Sequence, residues 1–179
     1  QQRIYSMKTR VDQPVISVFG SHSLQPGSAL YEQARELGYC LADAGFSVAT
    51  GGYEGAMAAV SRGVSEASGH SIGVTSSTVE LSRGAKLNHW VAEEIHYDTL
   101  NERLFHLVTK NVGMVVLEGG IGTLSELSLA WSLIQVKEMK QRPLILMGEL
   151  WKDFLKVFIR REYVPEQTAL LVEILDTPE

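Results

Sequence analysis

The amino-acid sequence predicts a single doubly wound α/β domain, Rossmann-like, with a mainly parallel sheet and helices on both faces. Three observations carry this prediction. Short apolar runs alternate with helical stripes along the chain, the order expected when each strand returns through a crossover helix. The runs, such as "VISVFG" and "VGMVVL", are continuously apolar, as strands buried on both faces require. No internal repeat, low-complexity tract or linker divides the 179 residues, so 1–179 reads as one domain, with residues 1–13 a flexible N-terminal segment.

The elements follow in order. Val15 to Gly20 reads as a buried strand, and a Pro/Gly/Ser loop leads to a helix from about Ser28 to Ala44, with Leu30, Ala34, Leu37 and Leu41 at helical spacing. "GFSVATGG" is a second strand ending in a glycine turn, and Met57, Val60, Val64 and Ala67 stripe a second helix. "HSIGVTS" is a third strand. Val79 to Trp90 reads as an irregular polar loop over a site. A short strand near Glu94 to His96 precedes a helix carrying Leu100, Leu104, Leu107 and Val108. "VGMVVLEGG" is the next strand, followed by the helix of "GTLSELSLAW", the strand "RPLILMG", and a helix with Trp151, Phe154, Leu155 and Phe158. The closing "DTPE" has the form of a helix start, so the natural chain is expected to continue past Glu179.

Composition narrows the function. A net charge of −5 argues against broad affinity for nucleic acid or acidic membranes but leaves a small anionic ligand open. Cys40 is the sole cysteine, so neither an internal disulfide nor a cysteine-based zinc cluster can form, which points to the cytoplasm. The five histidines show no HExxH or other close ligand pairing, and no metal or cofactor is expected. No apolar run approaches the ~20 residues that span a bilayer, and the first dozen residues lack a signal-peptide core.

Ligands of open parallel sheets sit beyond the carboxyl ends of the strands, where this chain has three glycine-rich exits. They are Gly20-Ser21-His22-Ser23, Gly51-Gly52-Tyr53-Glu54-Gly55 and Gly119-Gly120-Ile121-Gly122-Thr123. Any one of them could be a tight turn alone, but three on one sheet edge point to a phosphorylated ligand held by backbone N–H groups. The third glycine of GxGxxG is absent, and there is no P-loop lysine, which disfavours an NAD enzyme or an ATPase.

Thr123-Leu124-Ser125-Glu126 also fits a capping box, with Thr123 as N-cap and Glu126 reaching back to it. The helix that follows is apolar on two sides: Leu124, Leu127, Trp131 and Ile134 on one, Leu129, Leu133 and Val136 on the other. One side is expected to cover the sheet and the other to meet a second subunit, which puts Glu126 near a homodimer interface. Arg103 sits at the edge of the Leu100–Leu107 stripe, where snorkelling or an ion pair with Glu102 or Asp98 would also explain it.

Together, "SVFGSHS", "ATGGYEGAMAAVSRGVSEASGHSIGV", "NERLFHLV" and "GGIGTLSE" resemble the LONELY GUY family of cytokinin-activating phosphoribohydrolases, from about Val15 to Phe158. The resemblance implies hydrolysis of the N-glycosidic bond of a nucleoside 5′-monophosphate, with an N6-modified AMP among the candidates, to free base and ribose 5-phosphate. It implies Arg103 and Glu126 as the catalytic pair. The implied phosphate and nucleotide contacts are Gly20, Ser21, Gly51, Gly52, Gly55, Met57, Gly119, Gly120, Gly122 and Thr123. Two positions depart from the family pattern: Glu118 replaces the proline before the glycine pair, and Leu104 replaces the basic residue after the arginine. These departures favour the alternative, a nucleotide or nucleotide-cofactor carrier similar to the molybdenum-cofactor carrier relatives. The lysine decarboxylase label attached to such proteins finds no support, since no lysine has a recognisable pyridoxal phosphate context.

Overall fold

The computed structural model describes residues 13–178, so the expected flexible segment lies, apart from Gln13, outside the described residues. Its elements are β1 (Val15–Phe19), α1 (Ala29–Asp43), β2 (Ser47–Thr50), α2 (Ala56–Glu66), β3 (Ser71–Ser76), α3 (Ser77–Arg83), β4 (Glu93–Tyr97) and α4 (Leu100–Thr109). Then follow β5 (Gly113–Val116), α5 (Ile121–Gln135), β6 (Leu144–Met147), α6 (Glu149–Phe158), α7 (Glu166–Ala169) and β7 (Glu173–Leu175). The seven strands form one sheet in the order β4-β3-β2-β1-β5-β6-β7. Every neighbouring pair is parallel.

Neighbouring residues of the central strands are buried on opposite faces, which explains their continuous apolar runs. Val18, Val48 and Val115 pack with α1 and α2 through Tyr31, Leu37, Val60 and Val64. Phe19, Ala49, Met114 and Val116 pack with α4, α5 and α6 through Leu107, Leu127, Trp131 and Trp151. This is the predicted doubly wound, Rossmann-like architecture. α1 and α2 cross closely where Gly38 faces the Val60 carbonyl and Gly63 faces the Arg35 carbonyl, leaving no room for a Cβ. Ser28 caps α1 by accepting from the Tyr31 N–H at 3.3 Å, at the predicted boundary.

Four local expectations are corrected. Val79–Trp90 is not wholly irregular, because α3 runs to Arg83 before Gly84 ends it in the left-handed region. Only Val79 of α3 is buried, so the helix leaves no apolar stripe in the sequence. The short β7, an edge strand beside β6, went unpredicted. β4 closes the other edge with exposed Glu93, Glu94 and His96, charges that discourage edge-to-edge pairing, so continuous apolarity fails there. Leu30 and Leu100, placed in helical stripes, are 39% and 45% exposed, because each lies in its helix's first turn, at the rim of the core.

Candidate functional site

The chain leaves β1 for α1 on one side of the sheet and resumes beside β1 with β5 on the other, so a crevice opens beyond their carboxyl ends. Three loops meet there. The Ser21 N–H donates to the Glu118 carbonyl at 3.1 Å, and the Ser21 carbonyl accepts from the Ala56 N–H at 2.8 Å, so the glycine exits of β1, β2 and β5 are stitched together. Gly55 makes that joint possible: its φ is +70°, and a Cβ would overlap the Ser21 and His22 carbonyls. The result is a cavity of about 820 Å³, within the usual range for small-molecule sites.

Gly20, Ser21, Met57, Arg103, Gly120, Gly122, Thr123 and Glu126 line this cavity. Gly51, Gly52, Gly55 and Gly119 are not lining residues, though Gly51, Gly55 and Gly119 pack directly against residues that are. Gly51 leaves the space that the Arg103 guanidinium occupies. Residues from α3 and the loop after it, among them Arg83 and Lys86, complete the wall; the sequence indicated a loop over a site but not which of its side chains face in.

Arg103 is 7% exposed and forms no ion pair with Glu102 or Asp98, so the alternatives weighed for it give way. Glu102 is engaged in a capping box with Thr99 at the start of α4. Arg103 Nε donates to the Val74 carbonyl at 2.7 Å and Nη2 to the Gly51 carbonyl at 3.2 Å. Its Cζ lies 5.4 Å from the centroid of the Tyr53 ring. Tyr53 is fixed in turn, its hydroxyl accepting from the Ser76 N–H at 2.9 Å. Burial pulls the Arg103 pKa down, against the opposing pull of the Glu126 carboxylate and Tyr53.

The capping box expected at Thr123 and Glu126 does not form. α5 starts earlier, with Gly120 as N-cap and no side chain capping it, so Thr123 already lies in the first turn and Glu126 in the second. Glu126 is 9% exposed, and burial, only partly opposed by Arg103, raises its pKa to about 7. No hydrogen bond from the described residues holds its carboxylate. The uncapped first turn of α5 faces the cavity through Ile121, Gly122 and Thr123, an arrangement suited to an anion.

Glu118 is not a lining residue of the cavity. Its Oε1 accepts from the Leu150 N–H at 3.0 Å, so the carboxylate caps α6 on the far side of the loop. Leu104 packs against the core and is not a lining residue. Away from the cavity, Glu80, Glu94 and His96 bring ligand atoms within 4.8 Å of one another, a proximity no sequence spacing showed. Thr75 and Ser77 hydroxyls already engage His96, both at 2.9 Å, and Thr75 donates to Glu94 at 2.6 Å.

A family model, the SLOG cluster4 family, matches residues 13–173. The chain belongs to the SLOG cluster4 family. The resemblance to LONELY GUY proteins thus holds at the level of their shared superfamily. In fold, the chain is similar to the molybdenum cofactor binding protein of Rippkaea orientalis, with 26% identity over 93% of this chain and 91% of that one and a TM-score of 0.70. It is also similar to the molybdenum cofactor carrier protein of Chlamydomonas reinhardtii, with 26% identity, the same shares covered and a TM-score of 0.64. DNA processing protein A of Helicobacter pylori, at 15% identity over 79% of this chain and 69% of that one and a TM-score of 0.53, shares the fold alone. No curated protein matches the sequence. No helix among the described residues is long and apolar enough to cross a membrane.

Proposed function

We propose that this SLOG protein hydrolyses the N-glycosidic bond of a nucleoside 5′-monophosphate, releasing the base and ribose 5-phosphate. One observation carries the reading: Glu126 is buried, has no hydrogen-bond or ion-pair partner among the described residues, has its pKa raised to about 7, and shares a cavity with Arg103 and the uncapped N-terminus of α5. In this reading the α5 amides hold the phosphate. The Glu126 carboxylate stands beside the sugar, stabilising the oxocarbenium-like state and accepting a proton from the attacking water. The water oxygen bonds to C1′ as the C1′–N bond breaks, and that electron pair leaves with the base. Arg103, held by two carbonyls and the Tyr53 ring, positions the anionic or leaving part.

Two copies pack in this reading along the expected side of α5, where Val136 just past its end is exposed, although Leu129 and Leu133 are half-buried against the chain's own core. A second reading, a carrier that binds a nucleotide cofactor without cleaving it, is favoured by the structural relatives described as molybdenum cofactor carriers. A product assay separates the two. The purified protein is incubated with the common nucleoside monophosphates and an N6-prenylated AMP, and free base and ribose 5-phosphate are quantified. Release abolished in both Glu126→Gln and Arg103→Ala supports the hydrolase. Calorimetric binding without release overturns it in favour of the carrier.

A further inference from the structure

The cavity has a second cationic station besides the α5 amides. Arg83, in the last turn of α3, and Lys86, in the loop beyond it, both line the cavity, on a different wall from α5. Among the described residues, neither forms an ion pair or a side-chain hydrogen bond, although the chain's net charge is −5 and carboxylates are abundant. Arg83 lies close enough to disfavour the charge on Arg103, so two guanidiniums are held near each other across a shared space. Against Arg83, Lys86 and Arg103 the lining offers only Glu54 and Glu126, and Glu126 is partly protonated near neutral pH. Glu118, the remaining carboxylate of the glycine loop, is turned away to cap α6. An acidic protein has gathered surplus positive charge in one cavity, and the α5 amides alone would suffice for a single phosphate.

We infer that the preferred ligand is a nucleotide carrying a second phosphoryl group, received by Arg83 and Lys86 while the first rests on the N-terminus of α5. This rests on the nucleotide-binding reading above and extends it: the monophosphate is the minimal ligand, and the second phosphoryl adds charge-assisted contacts at the α3 wall. That phosphoryl can come from a 5′-diphosphate or from a separate position on the ribose; the recognising chemistry is the same.

The test is calorimetric titration of the full chain with AMP, ADP and adenosine 3′,5′-bisphosphate, repeated on an Arg83→Ala/Lys86→Ala double variant. Both residues are exposed, so the variant is expected to fold, and unchanged circular dichroism and thermal melting check this. At least one of the two doubly phosphorylated probes is expected to bind the native chain about tenfold more tightly than AMP, and whichever does so identifies the source. The double variant is expected to lose that gain, binding AMP and the doubly phosphorylated probes about equally. Equal affinity for all three probes overturns the inference and leaves the nucleotide-binding reading standing. A preference that survives in the folded double variant also overturns it. Failure of every probe to bind the native chain overturns the nucleotide-binding reading itself, and this inference with it.

Discussion

Replacing Glu126 with Gln substitutes a neutral, nearly isosteric amide for a buried acid, and its effect on stability is pH-dependent in a defined direction. In the unfolded chain the carboxyl titrates near its ordinary value of 4.5, whereas burial raises it to about 7 in the folded protein. Between those values the unfolded chain has lost a proton that the folded chain retains, so this group's contribution falls as pH rises through the window. At 1.36 kcal/mol per tenfold change in proton affinity, the full swing is on the order of 3 kcal/mol. It is fully present below about 4.5 and lost above about 7. Glu126→Gln has no such swing. Urea unfolding of both proteins at intervals from acid to mildly alkaline pH gives a difference curve in which the other carboxylates cancel. The variant should gain on the native chain by about 3 kcal/mol across the window, or roughly 6–12 °C in melting temperature for a domain of this size. A flat difference curve would show that Glu126 titrates like an exposed carboxylate, and the argument from burial to catalysis would fall with it.

Four other outcomes follow from the same contacts. Base release should rise with pH through about 7, since the carboxylate form of Glu126 does the work, and a pH profile of kcat/KM checks this. Gly51→Ala puts a methyl group where the Arg103 guanidinium lies, so calorimetry should show nucleotide affinity falling by tenfold or more, with stability down by about 1–3 kcal/mol in urea unfolding. Glu118→Ala removes the cap on α6 and should cost about 1 kcal/mol in the same unfolding assay while leaving nucleotide affinity unchanged. Gly63→Ala forces α2 away from the Arg35 carbonyl of α1 and should lower stability by about 1–3 kcal/mol, read from thermal melting.

The strand–helix alternation, the parallel sheet and the start of α1 near Ser28 were legible because they are written in local periodicity and composition. The glycine exits were legible too, since few residue types permit those turns, and their clustering on adjacent strands follows from the doubly wound order. α3 and β7 were not legible: a helix with one buried side chain and a three-residue edge strand leave too little periodic signal.

What the sequence by itself determined is therefore the framework: most of the strands and helices, that the sheet is parallel, and that the glycine loops share one edge, while Arg103 and Glu126 joined them only through the family resemblance. The tertiary structure decided what each of those groups is. Capping-box spacing at Thr123 was satisfied in the sequence, yet α5 begins at Ile121 after an N-cap at Gly120, and Glu126 lines the cavity. Glu118 stands in the glycine loop after β5 by position, but it caps α6 because Leu150, 32 residues later, comes within reach. Arg83 and Lys86 became cavity residues only when α3 folded over the crevice. The reason is physical: periodicity depends on residues a few positions apart, whereas burial, pKa and hydrogen-bond partnership depend on groups that only the folded chain brings together.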